Sequence, residues 1–174
     1  GWSDPAPAAS GDRSVPIGQA LGNVLLLNKL DSALSAIVNS TGIGKFEMIG
    51  MDACLMSHIE VYSALTPYAY YAVASQETEP ALGWAYTKIL QELTANPDMS
   101  GAQLGKAIVG SYIQDDQRIL DSAARAELLR QTSGMSGMFG SAPQMSASQL
   151  AAQMSRDVTL TAVDLTKMPA LIKS

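Results

Sequence analysis

The two residue types that build most metal and redox sites are almost missing from this chain. Its 174 residues include one cysteine, Cys54, and one histidine, His58. A single thiol cannot close an intrachain disulfide. One cysteine with one histidine completes neither a Cys-ligated structural zinc site nor a His-rich metal site. Charge is scarce as well, at 16% against 47% hydrophobic residues. A chain so apolar is not intrinsically disordered as a whole. The eleven basic residues are scattered, so no phosphate-tracking surface for nucleic acid can be assembled from them. Sixteen acidic residues set the net charge at −5, a balance compatible with a cationic substrate. No apolar run reaches the length of a membrane span: Val24–Leu27 meets Asn28, Lys29 and Asp31 at once. Gly1-Trp2-Ser3-Asp4-Pro5 has neither the basic start nor the apolar segment of a signal peptide. A processed terminus would look the same, so location is not read from it.

The length fits one domain with a real core. Residues 1–22, with Pro5, Pro7, Pro16 and four glycines, read as loop. Leu30, Ala33, Leu34, Ile37 and Val38 then share one face of a helix over Asn28–Val38, stopped by Thr41-Gly42-Ile43-Gly44. Phe46–Met51 is a short apolar run suited to a doubly buried strand, ending at Asp52-Ala53-Cys54. A helix over Leu55–Leu65 and a strand over Tyr70–Ser75 follow. The alternation predicts parallel pairing through right-handed crossovers. Helices are expected over Trp84–Thr94, Gly101–Ile113 and Gln117–Leu129, and a third strand over Val158–Leu165 with a helix beginning at Thr166 or Lys167. Gln131–Ser155 holds no Asp, Glu, Lys or Arg and reads as a flexible insertion with one helical turn near Ser148–Met154. The end looks like a cut through a domain, so the whole of 1–174 reads as one partial domain.

Parallel sheets place their sites at the carboxyl ends of strands, which is where Cys54 falls. A helix N-terminus there favours the reactive thiolate, although a lone cysteine is most often a small buried hydrophobe. Asp52 is open to two readings: a cap for the helix expected at Leu55, or a carboxylate presented to a cationic ligand beside the thiol. His58 follows Cys54 by four residues, the spacing of one helical face. That makes it a candidate base, unless Cys54 sits in the turn before the helix and His58 merely packs.

Ile49-Gly50-Met51-Asp52-Ala53-Cys54-Leu55-Met56 resembles the nucleophile strand of the clostripain-like cysteine peptidases. Ala74–Pro80 with Gly83-Trp84-Ala85-Tyr86 resembles that family's loop after the next strand. Val158–Met168 resembles a later strand and helix, and Gly1-Trp2 the tail of its His-Gly-x-Gly-Trp segment. The resemblance touches most of the chain except Gln131–Ser155, and three segments in order make it specific. It implies a caspase-like α/β/α sandwich with a mostly parallel sheet, incomplete in this chain. It implies an endopeptidase cutting after Arg or Lys, with Cys54 as nucleophile and Asp52 lining the specificity pocket. The oxyanion would rest on the Cys54 N–H and on a glycine beside a histidine base outside this chain, borne by a second chain of the same precursor or by a longer protein of which this is a fragment. Leu82 stands where some relatives carry an acidic residue. The resemblance also brings calcium as a candidate cofactor, a secreted or cell-envelope bacterial location, and autoprocessing. Arg13, in Ser10-Gly11-Asp12-Arg13-Ser14, is the candidate cleavage point. The rival readings are a non-catalytic peptide-binding or assembly fragment and a cysteine transferase or ligase on the same scaffold.

Overall fold

The computed structural model describes residues 26–80, 82–132, 145–156 and 158–174. Helix α1 (Leu27–Thr41) ends where Gly42 turns left-handed at φ 71°, a conformation that glycine adopts without a Cβ clash. Strand β1 (Phe46–Gly50), helix α2 (Ile59–Leu65) and strand β2 (Ala69–Ser75) form the crossover unit read from the sequence. The two strands run parallel, with Met48 beside Tyr71 and Gly50 beside Val73. Then come α3 (Tyr86–Ala95), α4 (Gly101–Ser111), α5 (Gln117–Leu120), α6 (Ser122–Thr132) and α7 (Ala147–Met154). Strand β3 (Leu160–Asp164) leads through a short 3₁₀ turn into α8 (Met168–Ile172). The sheet order is β1-β2-β3, and β3 pairs antiparallel to β2.

Helices cover both faces of this sheet. On one, Val73, Trp84, Ile108, Tyr112, Ile113, Ile119 and Leu160 form a core with bulky side chains. On the other, Ala69, Ala72 and Ala74 of β2 meet Leu34, Tyr62, Leu65 and Met168. The alternation of Ala72, Val73 and Ala74 between the faces follows from the two-residue period of a strand.

Most element ends differ from the sequence reading by a residue or a few, and three of the differences have a clear local reason. Helix α2 begins at Ile59 rather than Leu55, because the Met56 and Ser57 N–H groups both donate to the Ser75 carbonyl at 2.9 Å. Helix α3 begins at Tyr86 rather than Trp84, whose N–H is taken by Asp52. The single helix expected over Gln117–Leu129 is two. Asp121 is extended and its carboxylate accepts from the Ala123 and Ala124 N–H groups, ending one helix and capping the next. Within the uncharged stretch Gln131–Ser155, α7 carries a capping box from Ser146 and Gln149, and its buried Leu150 belongs to the bulky core. That part is packed; residues 133–144 lie outside the described residues.

Candidate active site

Strand β1 delivers the chain to a sharp turn. Met51 is buried and its N–H still bonds the Val73 carbonyl, but the ladder stops there. Leu55 takes φ 61°, a left-handed conformation that costs a non-glycine residue about 1–2 kcal/mol. Such outliers persist where surrounding contacts over-determine them, and here the turn after β2 does so. Leu55 N–H donates to the Glu77 carbonyl at 3.3 Å, one of three main-chain bonds that tie this turn to residues 75–77.

Cys54 sits in the turn, partly buried, with its sulfur against the main chain of Glu79. The Glu79 N–H donates to Sγ at 3.2 Å, and Sγ lies 3.7 Å from the Glu79 carbonyl. His58 is exposed and is the N-cap residue of α2. Cys54 therefore precedes the helix, and the four-residue spacing does not place the two side chains on one helical face.

Asp52 does not cap α2. Its Oδ2 reaches across to accept from the Trp84 N–H and from the Tyr86 hydroxyl, both at 3.0 Å. Gly83, at φ 70°, makes this approach possible: a Cβ there would stand 2.9 Å from Oδ2. Trp84 is fixed on every side. Its indole lies so close on Gly50 that a Cβ would meet it at 2.8 Å, and its carbonyl accepts from Arg118 at 3.3 Å. Arg118 is itself oriented by a two-pronged contact with the buried Asp116. Tyr86 stacks beside Trp84 with ring centroids 6.3 Å apart.

A second carboxyl joins Asp52, from Glu79. Burial, and then the neighbouring Asp52 charge, push its pKa up to about 7. The Asp52 carboxyl and the Trp84 indole lie near enough to act on it, yet neither Glu79 oxygen makes a hydrogen bond of normal geometry. The unmade bonds carry more weight, because a buried carboxyl without a close partner is the costly state. Burial, then the bond to Asp52, push the Tyr86 hydroxyl up to about 12. The Tyr112 hydroxyl is raised too, by burial and by the fields of Glu79, Asp52 and Cys54.

The sequence profile of the clostripain family matches residues 15–128. The chain belongs to the clostripain family. Two solved structures share its fold. A B. fragilis cysteine protease is 18% identical at a TM-score of 0.53, over 86% of this chain and 47% of that one. A secreted C11 cysteine protease from Bacteroides thetaiotaomicron, in complex with an irreversible peptide inhibitor, is 20% identical at 0.52, over 86% and 33%. At these identities the likeness is one of fold. The clostripain-family chain described here thus spans about half and a third of those two proteins. No curated protein matches it by sequence.

The structure brings Cys54 and Asp52 into one turn and leaves His58 out. Arg13 and Gly1-Trp2 lie outside the described residues. Glu79, Tyr112 and Arg118 were not singled out from the sequence. Glu79 stands inside the loop motif Ala74–Pro80, where a second acidic position after Glu77 was a usable signal, but Tyr112 gave none. Leu82 is buried in the bulky core, so nothing acidic stands at that place. Among the described residues no group of three or more His, Cys, Asp or Glu side chains converges to hold calcium, and no helix is long and apolar enough to cross a membrane.

Proposed function

We propose that this chain is the nucleophile-bearing part of a bacterial, secreted or cell-envelope cysteine endopeptidase that cuts after Arg or Lys. The observation that carries it is one turn presenting the Cys54 sulfur and the Asp52 carboxylate together at the carboxyl end of parallel strand β1. The thiolate adds to the scissile carbonyl carbon, and the electron pair moves to oxygen. The Cys54 N–H makes no hydrogen bond to the described residues and is free to receive that oxyanion. Collapse expels the amine, which takes a proton from a histidine on a second chain of the same precursor. Water then hydrolyses the thioester and regenerates the thiol. Asp52, held by Trp84 and Tyr86 through Oδ2 only, keeps its other oxygen for the substrate's cation. Calcium stays the candidate cofactor, and self-cleavage after Arg13 would draw on the same basic specificity. An arginine-derived acyloxymethyl ketone, applied to the enzyme with its histidine-bearing segment, tests the reading. A single adduct on Cys54 by intact mass and peptide mapping is expected. An unmodified Cys54 in folded protein overturns it.

A further inference from the structure

Glu79 is a half-buried residue beside the proposed nucleophile, with both carboxyl oxygens shut off from solvent, that the chemistry above leaves unused. Asp52 and Cys54 face it from the turn after β1, Tyr86 from the start of α3, and Tyr112 from the end of α4. Arg118 of α5 acts on Asp52, but its guanidinium is committed to Asp116. Two more polar groups in this cluster are deeply buried and unpartnered: the indole Nε1 of Trp84, 4% exposed, and the hydroxyl of Tyr112, 5% exposed. Two carboxyls crowded together, with donors around them unpaired and no cation between them among the described residues, are arranged for an incoming positive charge.

On the reading that Asp52 lines the specificity pocket, we propose that Asp52 and Glu79 share one proton while the pocket is empty. An entering Arg or Lys side chain expels that proton to solvent, so the preference for cationic substrates rises with pH. Glu79 is then a specificity-determining residue. The carboxyl O–H bond breaks, the proton passes to water, and both carboxylates face the bound cation. The pKa of about 7 puts the change where the empty pocket holds one negative charge below neutrality and two above it. An opposite charge lowers a nearby carboxyl pKa by about 1–3 units. Solvent screening at this half-buried pocket favours the low end, which linkage converts into roughly tenfold tighter cation binding.

The test compares kcat/KM for matched Arg and citrulline substrates from about pH 5.5 to 8.5, using the enzyme with its histidine-bearing segment. Taking their ratio cancels the titration of the nucleophile and its base. The wild-type ratio should climb roughly tenfold around neutrality, while Glu79→Gln stays flat near the wild-type value at low pH. A flat wild-type ratio, or a Glu79→Gln variant that still climbs, overturns the proposal. Calorimetric titration of the wild type with agmatine, in buffers of different ionisation enthalpy, needs no variant to fold. Proton release near pH 7 is expected, and its absence overturns the shared proton. Cys54 labelling with no pH-dependent ratio defeats only this proposal, whereas no labelling and no turnover defeat the peptidase reading beneath it.

Discussion

The turn after β1 and the turn after β2 contribute to the site in opposite ways. The first, from Asp52 to Ser57, carries the proposed nucleophile Cys54 and the proposed specificity carboxylate Asp52, but cannot hold its own shape: Leu55 is strained. The second, from Gln76 to Trp84, supplies mostly main chain. Glu79 N–H and C=O hold the sulfur, the Glu77 carbonyl holds Leu55, and Trp84 N–H holds Asp52. It is anchored in turn by Thr159, whose hydroxyl accepts from the Gln76 and Glu77 N–H groups at 3.0 and 2.8 Å. Chemistry therefore resides on one turn and geometry on the other. Side-chain changes should be felt sharply in the first, and in the second at Glu79 or where they disturb the backbone.

The sharpest break in that contrast is Cys54→Ala. It should abolish turnover in the assembled enzyme while moving Tm by no more than a few degrees, since a partly buried sulfur is replaced by a methyl. Unchanged activity would remove the first turn's claim to the chemistry. Next in size is Asp52→Asn. Leaving a substrate guanidinium without its anion costs about 2–5 kcal/mol, or roughly 30- to 5,000-fold in kcat/KM for Arg and Lys substrates. A citrulline substrate should lose far less. Equal losses across the set would reduce Asp52 to a brace for Trp84 and Tyr86.

Thr159→Val probes the second turn. It keeps the shape and deprives two backbone N–H groups of their acceptor, so stability should drop by about 1–2 kcal/mol. Turnover should fall several-fold, and Cys54 labelling should slow in parallel. An unaltered labelling rate would show that the sulfur does not depend on this anchor.

Glu79→Gln offers a pH signature that needs no substrate. The folded pKa of Glu79, about 7, lies above its ordinary value of 4.5. The folded protein therefore binds more protons at this group than the unfolded chain does. Its contribution is most favourable below pH 4.5 and is lost as pH rises through 7. The Tm of the variant should accordingly gain on wild type with rising pH and level off above neutrality. A constant difference from pH 4 to 9 would argue against a proton at Glu79. The smallest effect belongs to His58→Ala, which should keep most activity because His58 is exposed and separated from Cys54 by a non-helical turn. A loss of about 10³-fold with the fold intact would instead make it the base.

Much of the fold could be read from spacing alone. The periodicity of Leu30, Leu34 and Val38 gave α1, the apolar runs at Phe46 and Tyr70 gave parallel neighbours, and the resemblance around Asp52-Ala53-Cys54 pointed to the clostripain family. These are signals between residues close in the chain, where backbone geometry dictates which side chains share a face. The antiparallel course of β3 was not legible, because pairing direction depends on how the chain returns to the sheet. The break at Asp121 was missed because a mid-helix aspartate and an N-cap look alike in sequence until the backbone chooses. The reach of Asp52 across to Trp84 and Tyr86, and the meeting of Glu79 with Asp52, join residues 27 to 34 positions apart. The amino-acid sequence by itself determined which groups could react. Only the packing of the two turns decided which would come together: burial beside Asp52 raises the pKa of Glu79, and the Glu79 main chain fixes the direction of the Cys54 sulfur.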